Sequence, residues 1–186
     1  MLEPWCQILT LPAIMKKPEV WMRGPLPGVP PMLQPVGHAL LQATEEVEMV
    51  LKDFDGVRLW IKPAGMASVG FHLRHLSGVL DRLFTYARAE SLSPQQLAYL
   101  EQEQLPGNES PDVLLYNFMT QVDKAIEQLR QTSDDDLLAH RGIGRKQIPS
   151  NVLGLLFHAA EHTQRHVGQL LVTARWVSTD ASVASA

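Results

Sequence analysis

His158-Ala159-Ala160-Glu161-His162-Thr163-Gln164-Arg165-His166-Val167-Gly168-Gln169 sets three histidines at successive i,i+4 positions. At about 100° per residue, a helix gathers His158, His162 and His166 within an arc of about 80°, joined there by Leu155 and Gln169. That face is also apolar, so the imidazoles are expected to point toward the interior of a helical protein. An unsatisfied polar group costs roughly 1 to 3 kcal/mol there. A metal ion is a partner that meets the need, because two histidines four residues apart reach one ion from a single helical face.

Working outward, Ser150 or Asn151 caps this last helix, which is expected to reach about Trp176, with 178–186 a small-residue, disordered tail. Upstream, Ser133 to Pro149 mixes an acidic triplet, two glycines and several basic residues, and reads as an exposed, ligand-facing connection without strand pattern. Ser110-Pro111 and Ser93-Pro94 each pair a cap with a proline at the first helical position, giving a long helix to about Gln131 and a short one to about Gln104. Ser68 caps a helix to about Ala89, and from Pro31 apolar residues recur at helical spacing to Asp55-Gly56. The expectation is an all-α, antiparallel four-helix bundle over 31–177. Residues 1–30, rich in proline and glycine, form an irregular N-terminal arm that Trp5, Trp21 and Met22 dock on the bundle.

Composition narrows the function classes. At 186 residues and 45% hydrophobic, the chain suits one globular domain, and no apolar run approaches the roughly 20 residues that span a bilayer. Its net charge is -4 with no basic stripe, which argues against nucleic acid as partner. A single cysteine, Cys6, rules out an intrachain disulfide, and a cytoplasmic location is expected. There is no Ser-His-Asp or Gly-x-Ser-x-Gly pattern, so no protein nucleophile is expected.

The second histidine group lies on the Ser68–Ala89 helix, where His72 and His75 share a face with Leu76, Val79 and Leu83. One of the two is expected to complete a site with the last helix. Three neutral imidazoles leave a coordination position open, and nitrogen ligands favour zinc, nickel, copper or iron(II) over magnesium or calcium.

Gly70-Phe71-His72-Leu73-Arg74-His75-Leu76-Ser77-Gly78, taken with the 158–169 stretch, resembles the DinB/YfiT-like superfamily over about Pro31 to Trp176. The resemblance implies a four-helix bundle, usually a homodimer, with one divalent transition metal ion per chain, zinc or nickel first. By position it makes His75, which precedes Leu76-Ser77-Gly78, and the pair His162 and His166 the ligands. His72, His158, Glu161 and Gln169 then fall beside the ligands or line the pocket, and Arg82, Tyr86 and Arg165 are candidate substrate contacts. The function implied is metal-dependent activation of a small-molecule thiol or water toward an electrophile, as in a thiol S-transferase or hydrolase. The alternative is a non-catalytic, metal-binding, dimerising stress-response protein.

Overall fold

The structure, a computed structural model, describes residues 17–179. Trp5, Cys6 and most of the expected tail lie outside the described residues. Helix starts fall where the sequence offers caps. Pro30 and a 3-10 turn at Pro31–Leu33 lead into α1 (Gln34–Leu51). The Ser68 hydroxyl accepts from the Phe71 amide at 3.2 Å and opens α2 (Val69–Ala87). Ser93 and Gln96 cap each other reciprocally at the start of α3 (Pro94–Gln102), and Ser110 caps α4 (Pro111–Gln131). Asn151 accepts from the Gly154 amide at 2.7 Å at the start of α5 (Val152–Thr179).

The expected helical bundle is present. α5 packs on α1 and α2, α4 packs on α2 and α1, and α1 and α2 occupy opposite corners. Leu33, Leu40, Leu73, Leu76, Leu80, Phe84, Phe118 and Leu156 are fully buried between them. The directions are not a simple alternation. Gly37, near the start of α1, lies against Ile126 and Leu129 near the end of α4, so that pair is antiparallel. Arg74 meets Glu109 while Phe84 meets Gln128, so α2 and α4 run the same way. The short α3 makes this possible. Its Gln96 donates to Asp81 and Thr85 and its Tyr99 to the Arg74 carbonyl, so α3 carries the chain back along α2 before α4 begins.

Two expectations are corrected. The segment read as a strandless connection contains an antiparallel hairpin, β1 (His140–Ile143) and β2 (Ile148–Asn151), with Ile143 opposite Ile148. Strands of four residues, one holding Pro149, are too short to show a period of two. The hairpin is tied down where the Ala139 and Leu137 carbonyls accept from the Val152 and Leu153 amides. Of the arm only 17–30 is described, and there Trp21 and Met22 do not dock, being 63% and 53% exposed. Instead Val20 and Val29 are buried, and Gln34 bonds the backbone of Leu26 and Val29. Among the described residues no helix is long and apolar enough to cross a membrane.

Candidate metal centre

Because α2 and α5 are antiparallel neighbours, the histidines meet in reverse order. His75 Nε2 is 2.9 Å from His162 Nε2, and His72 Nδ1 is 3.1 Å from His166 Nδ1. The His166 ring centroid lies 4.4 Å from that of His75 and 4.6 Å from that of His162. One nitrogen from each of His75, His162 and His166 falls within 4.8 Å of the others, and all three rings are half-buried. Phe71 stacks on His75 at 5.3 Å and covers one side of the group.

The protein sets which nitrogens face inward. His75 Nδ1 lies 2.8 Å from Glu103 Oε2, and Arg82 Nη1 donates to the other oxygen, Oε1, at 2.5 Å. Glu103 is 2% exposed, and its carboxylate can only accept, so His75 donates from Nδ1, and in the neutral ring Nε2 is bare. His72 and His166 share one N–H between their Nδ1 atoms, and where His166 is its donor, Nε2 of His166 is bare. His162 fares differently. Its Nδ1 is buried with no partner. If His162 donates from Nε2 to His75, Nδ1 is an orphaned acceptor; if Nδ1 holds the proton, it is an orphaned donor and two lone pairs face each other at 2.9 Å. Neither tautomer satisfies the group with protein atoms alone, and a cation between the facing nitrogens removes the lone-pair repulsion of the second. The donor set therefore fits a divalent transition metal.

Burial, followed by the neighbouring charge of His75, lowers the His72 and His162 pKa to about 4 and that of His166 to about 3. These rings are neutral near pH 7, which is the form that coordinates.

The motifs of both helices lie inside a match to the DinB superfamily family model over residues 39–170. The chain belongs to the DinB superfamily. A DinB-like protein from Bacillus cereus ATCC 10987, known from its crystal structure, is 19% identical with a TM-score of 0.55, over 75% of this chain and 91% of that one. At that identity the likeness concerns the fold. No curated protein matches the chain.

Around the DinB histidines, the remaining candidates fall in different places. His72 is buried against His166. His158 does not point inward as its shared face implied: its side chain is 51% exposed, with Nδ1 at 3.2 Å from Glu161. The buried stripe of α5 runs through Ala159, Thr163, Val167 and Leu170, and each step from His166 to His162 to His158 turns about 40° away from it. Gln169 is exposed for the same reason. Glu161, with its carboxyl lowered by Arg165, forms a surface pair with that arginine at the rim. His158, Glu161 and His162 also place ligand atoms within 4.8 Å of one another. Arg82 is buried and engaged by Glu103. Tyr86 lies beneath the hairpin, about three turns along α2 from His75.

Glu103 escaped sequence reasoning. It sits in a polar run, Glu101-Gln102-Glu103-Gln104, that reads as solvated. The one local signal is that Gln96, Tyr99 and Glu103 share a face of α3, the face that meets α2.

Proposed function

We propose that this DinB protein is a metal-dependent enzyme in which His75, His162 and His166 hold one divalent transition metal ion, zinc or nickel first, to activate a thiol or water against an electrophile. The observation that carries the reading is the convergence of three half-buried imidazoles whose ligand atoms lie within 4.8 Å of one another, two of them facing Nε2 to Nε2 at 2.9 Å.

The chain's own residues have definable tasks. Glu103 and His72 hold the His75 and His166 rings through their Nδ1 atoms, so the ligand set is arranged before the ion arrives. Arg82 holds the Glu103 carboxylate in place through Oε1. Phe71 limits water on one side. With only three protein ligands, a position stays open for an exogenous group. When bound, a divalent ion supplies Lewis acidity that lowers the pKa of a thiol or water. Glu161 and His158 stand at the rim, where either can receive the released proton, and Arg165 can meet an anionic substrate group.

Metal analysis of purified protein tests the first half: about one ion per chain is expected, falling to near zero in His162→Ala. Equal metal in both proteins sinks the reading. The second half is tested with metal-loaded protein and a panel of low-molecular-weight thiols against a chromogenic electrophile. Turnover that disappears on chelation and returns with metal is the expected result, and no turnover with any thiol or with water removes the enzymatic part.

A further inference from the structure

A second concavity lies away from the histidines. The β1–β2 hairpin, the end of α2 and the start of α3 enclose a cleft of ≈ 500 Å³, lined in part by Tyr86, Leu92, Leu97, Arg141 and Arg145. Its charge is one-sided. Arg141 is fixed by donating to the Ala87 and His140 carbonyls at 2.7 and 2.8 Å, contacts that orient the guanidinium without neutralising it. Arg145, at the hairpin tip, has no hydrogen-bond or ion-pair partner among the described residues. The carboxylate of the lining, Glu90, is taken up by Arg88 through Nε and Nη2 at 2.9 and 2.7 Å. The walls are apolar where Leu92 and the 40% exposed Leu97 face the space.

The backbone around the cleft is unusual as well. Ala89 and Gln147, both on its lining, hold φ of 61° and 49°, the left-handed region that residues with side chains rarely adopt. Strained conformations of this kind persist where the surrounding structure holds them, and they concentrate at ligand sites.

Position adds a third observation. Tyr86 is 11 residues beyond His75, which puts it about 20° around α2 and about 16 Å along it, in the same seam as the histidine cluster. Leu97 and the 43% exposed Leu100 follow one side of α3 from the cleft, and Gln104, just past the end of that helix, shares a recess with Phe71 beside the cluster. An apolar wall thus runs from the arginines toward the histidines.

We infer that the hairpin cleft binds an organic anion with an apolar body, its acidic group at Arg141 and Arg145 and its body along Leu97. Two arginines without carboxylate partners supply the charge, a fixed guanidinium supplies direction, and the leucines favour an anion with an apolar body over one without. The cleft is a binding site in its own right. That it is also the far end of a substrate groove reaching the metal rests on the function proposed above.

The full chain titrated with 8-anilinonaphthalene-1-sulfonate, which carries an acidic group on apolar rings, tests the site by fluorescence and by amide chemical shifts. Saturable binding is expected, with shifts at Gly142, Gly144, Arg145 and Leu97. Arg145→Glu should weaken it about tenfold, the loss of one charge-assisted contact, at unchanged melting temperature. Leu97→Asp should weaken it similarly, and the uncharged N-phenyl-1-naphthylamine should bind less well than the sulfonate. His162→Ala should leave the affinity unchanged, which separates this site from the metal reading. Shifts confined to other surfaces, or equal affinity for wild type, Arg145→Glu and the uncharged analogue, would overturn the inference.

Discussion

The histidine cluster and the hairpin cleft share one face of α2, about three turns apart, yet they are built by opposite means. The cluster is assembled from side chains on long helices whose cores are fully buried, and three of its rings are held neutral by that burial. The cleft is walled by a hairpin of two four-residue strands and by turns at positive φ, and it gathers charge instead of excluding it. A rigid helical seam can hold a ligand set to the precision that metal coordination needs. A two-stranded hairpin has little stability of its own and depends on its anchors to α2 and α5. Substitutions on the two sides should therefore differ in size and in reach.

The largest effect is expected at Glu103. Glu103→Ala leaves the buried Arg82 guanidinium unpaired and removes the acceptor of His75 Nδ1. Breaking a buried ion pair from one side costs about 3 to 5 kcal/mol, and loss of a ligand's orienting partner typically lowers metal affinity about 10- to 100-fold. Urea unfolding and competitive metal titration read the two separately. The double variant Arg82→Met, Glu103→Met should regain most of the stability while keeping the weakened metal affinity. If the double variant binds metal as wild type does, Glu103 has no part in arranging His75.

Next in size is the response of the metal-free protein to acid. In the folded chain His72 and His162 have a pKa of about 4 and His166 of about 3, against the ordinary 6.5. Between those values the unfolded chain binds more protons than the folded one, so stability falls as pH drops from about 6.5 and levels off only below the folded values. Thermal melts of metal-free protein should show a falling midpoint from pH 7 to pH 4.5. Glu45, with a carboxyl lowered to about 2 by Arg23, loses its stabilising contact only at lower pH, since its window lies between 4.5 and about 2. A flat midpoint from pH 7 to 4.5 would mean that the rings are not buried neutral.

The same contrast explains how much could be read from the sequence. Helices α2, α4 and α5 were legible because serine or asparagine caps and a 3.6-residue apolar period are local signals, and the convergence of two histidine-bearing helices follows once both faces are known. His158 was misread because a shared helix face spans more than the strip that packing buries. Glu103 depends on α3 doubling back along α2, a path that no local pattern encodes. The hairpin was missed because its strands are too short for periodicity, although Gly144 at a φ of 63° marks the turn that makes it.

That glycine gives a third, smaller test. A Cβ at Gly144 would meet only the Tyr86 hydroxyl, at 3.9 Å, so Gly144→Ala costs conformational strain without a clash. About 1 kcal/mol is expected, with faster amide exchange confined to 140–151 and unchanged metal content. Loss of metal in this variant would show that hairpin and cluster are one cooperative unit.

The smallest effect separates the members of the histidine fan on α5. His158 contacts the His162 ring at 5.3 Å and pairs with Glu161, but it is half in solvent, and Glu161 keeps Arg165 as a partner without it. Removing an exposed side chain of this kind changes stability by about 0.5 kcal/mol or less. His158→Ala should therefore hold metal within about twofold of wild type, since a partner outside the ligand set that shaped an imidazole would cost at least about tenfold. A larger loss would move His158 into the coordination sphere together with Glu161 and His162, the second group of ligand atoms within 4.8 Å. The single substitution thus decides whether the ion sits in the seam between α2 and α5 or on the outer edge of α5 alone.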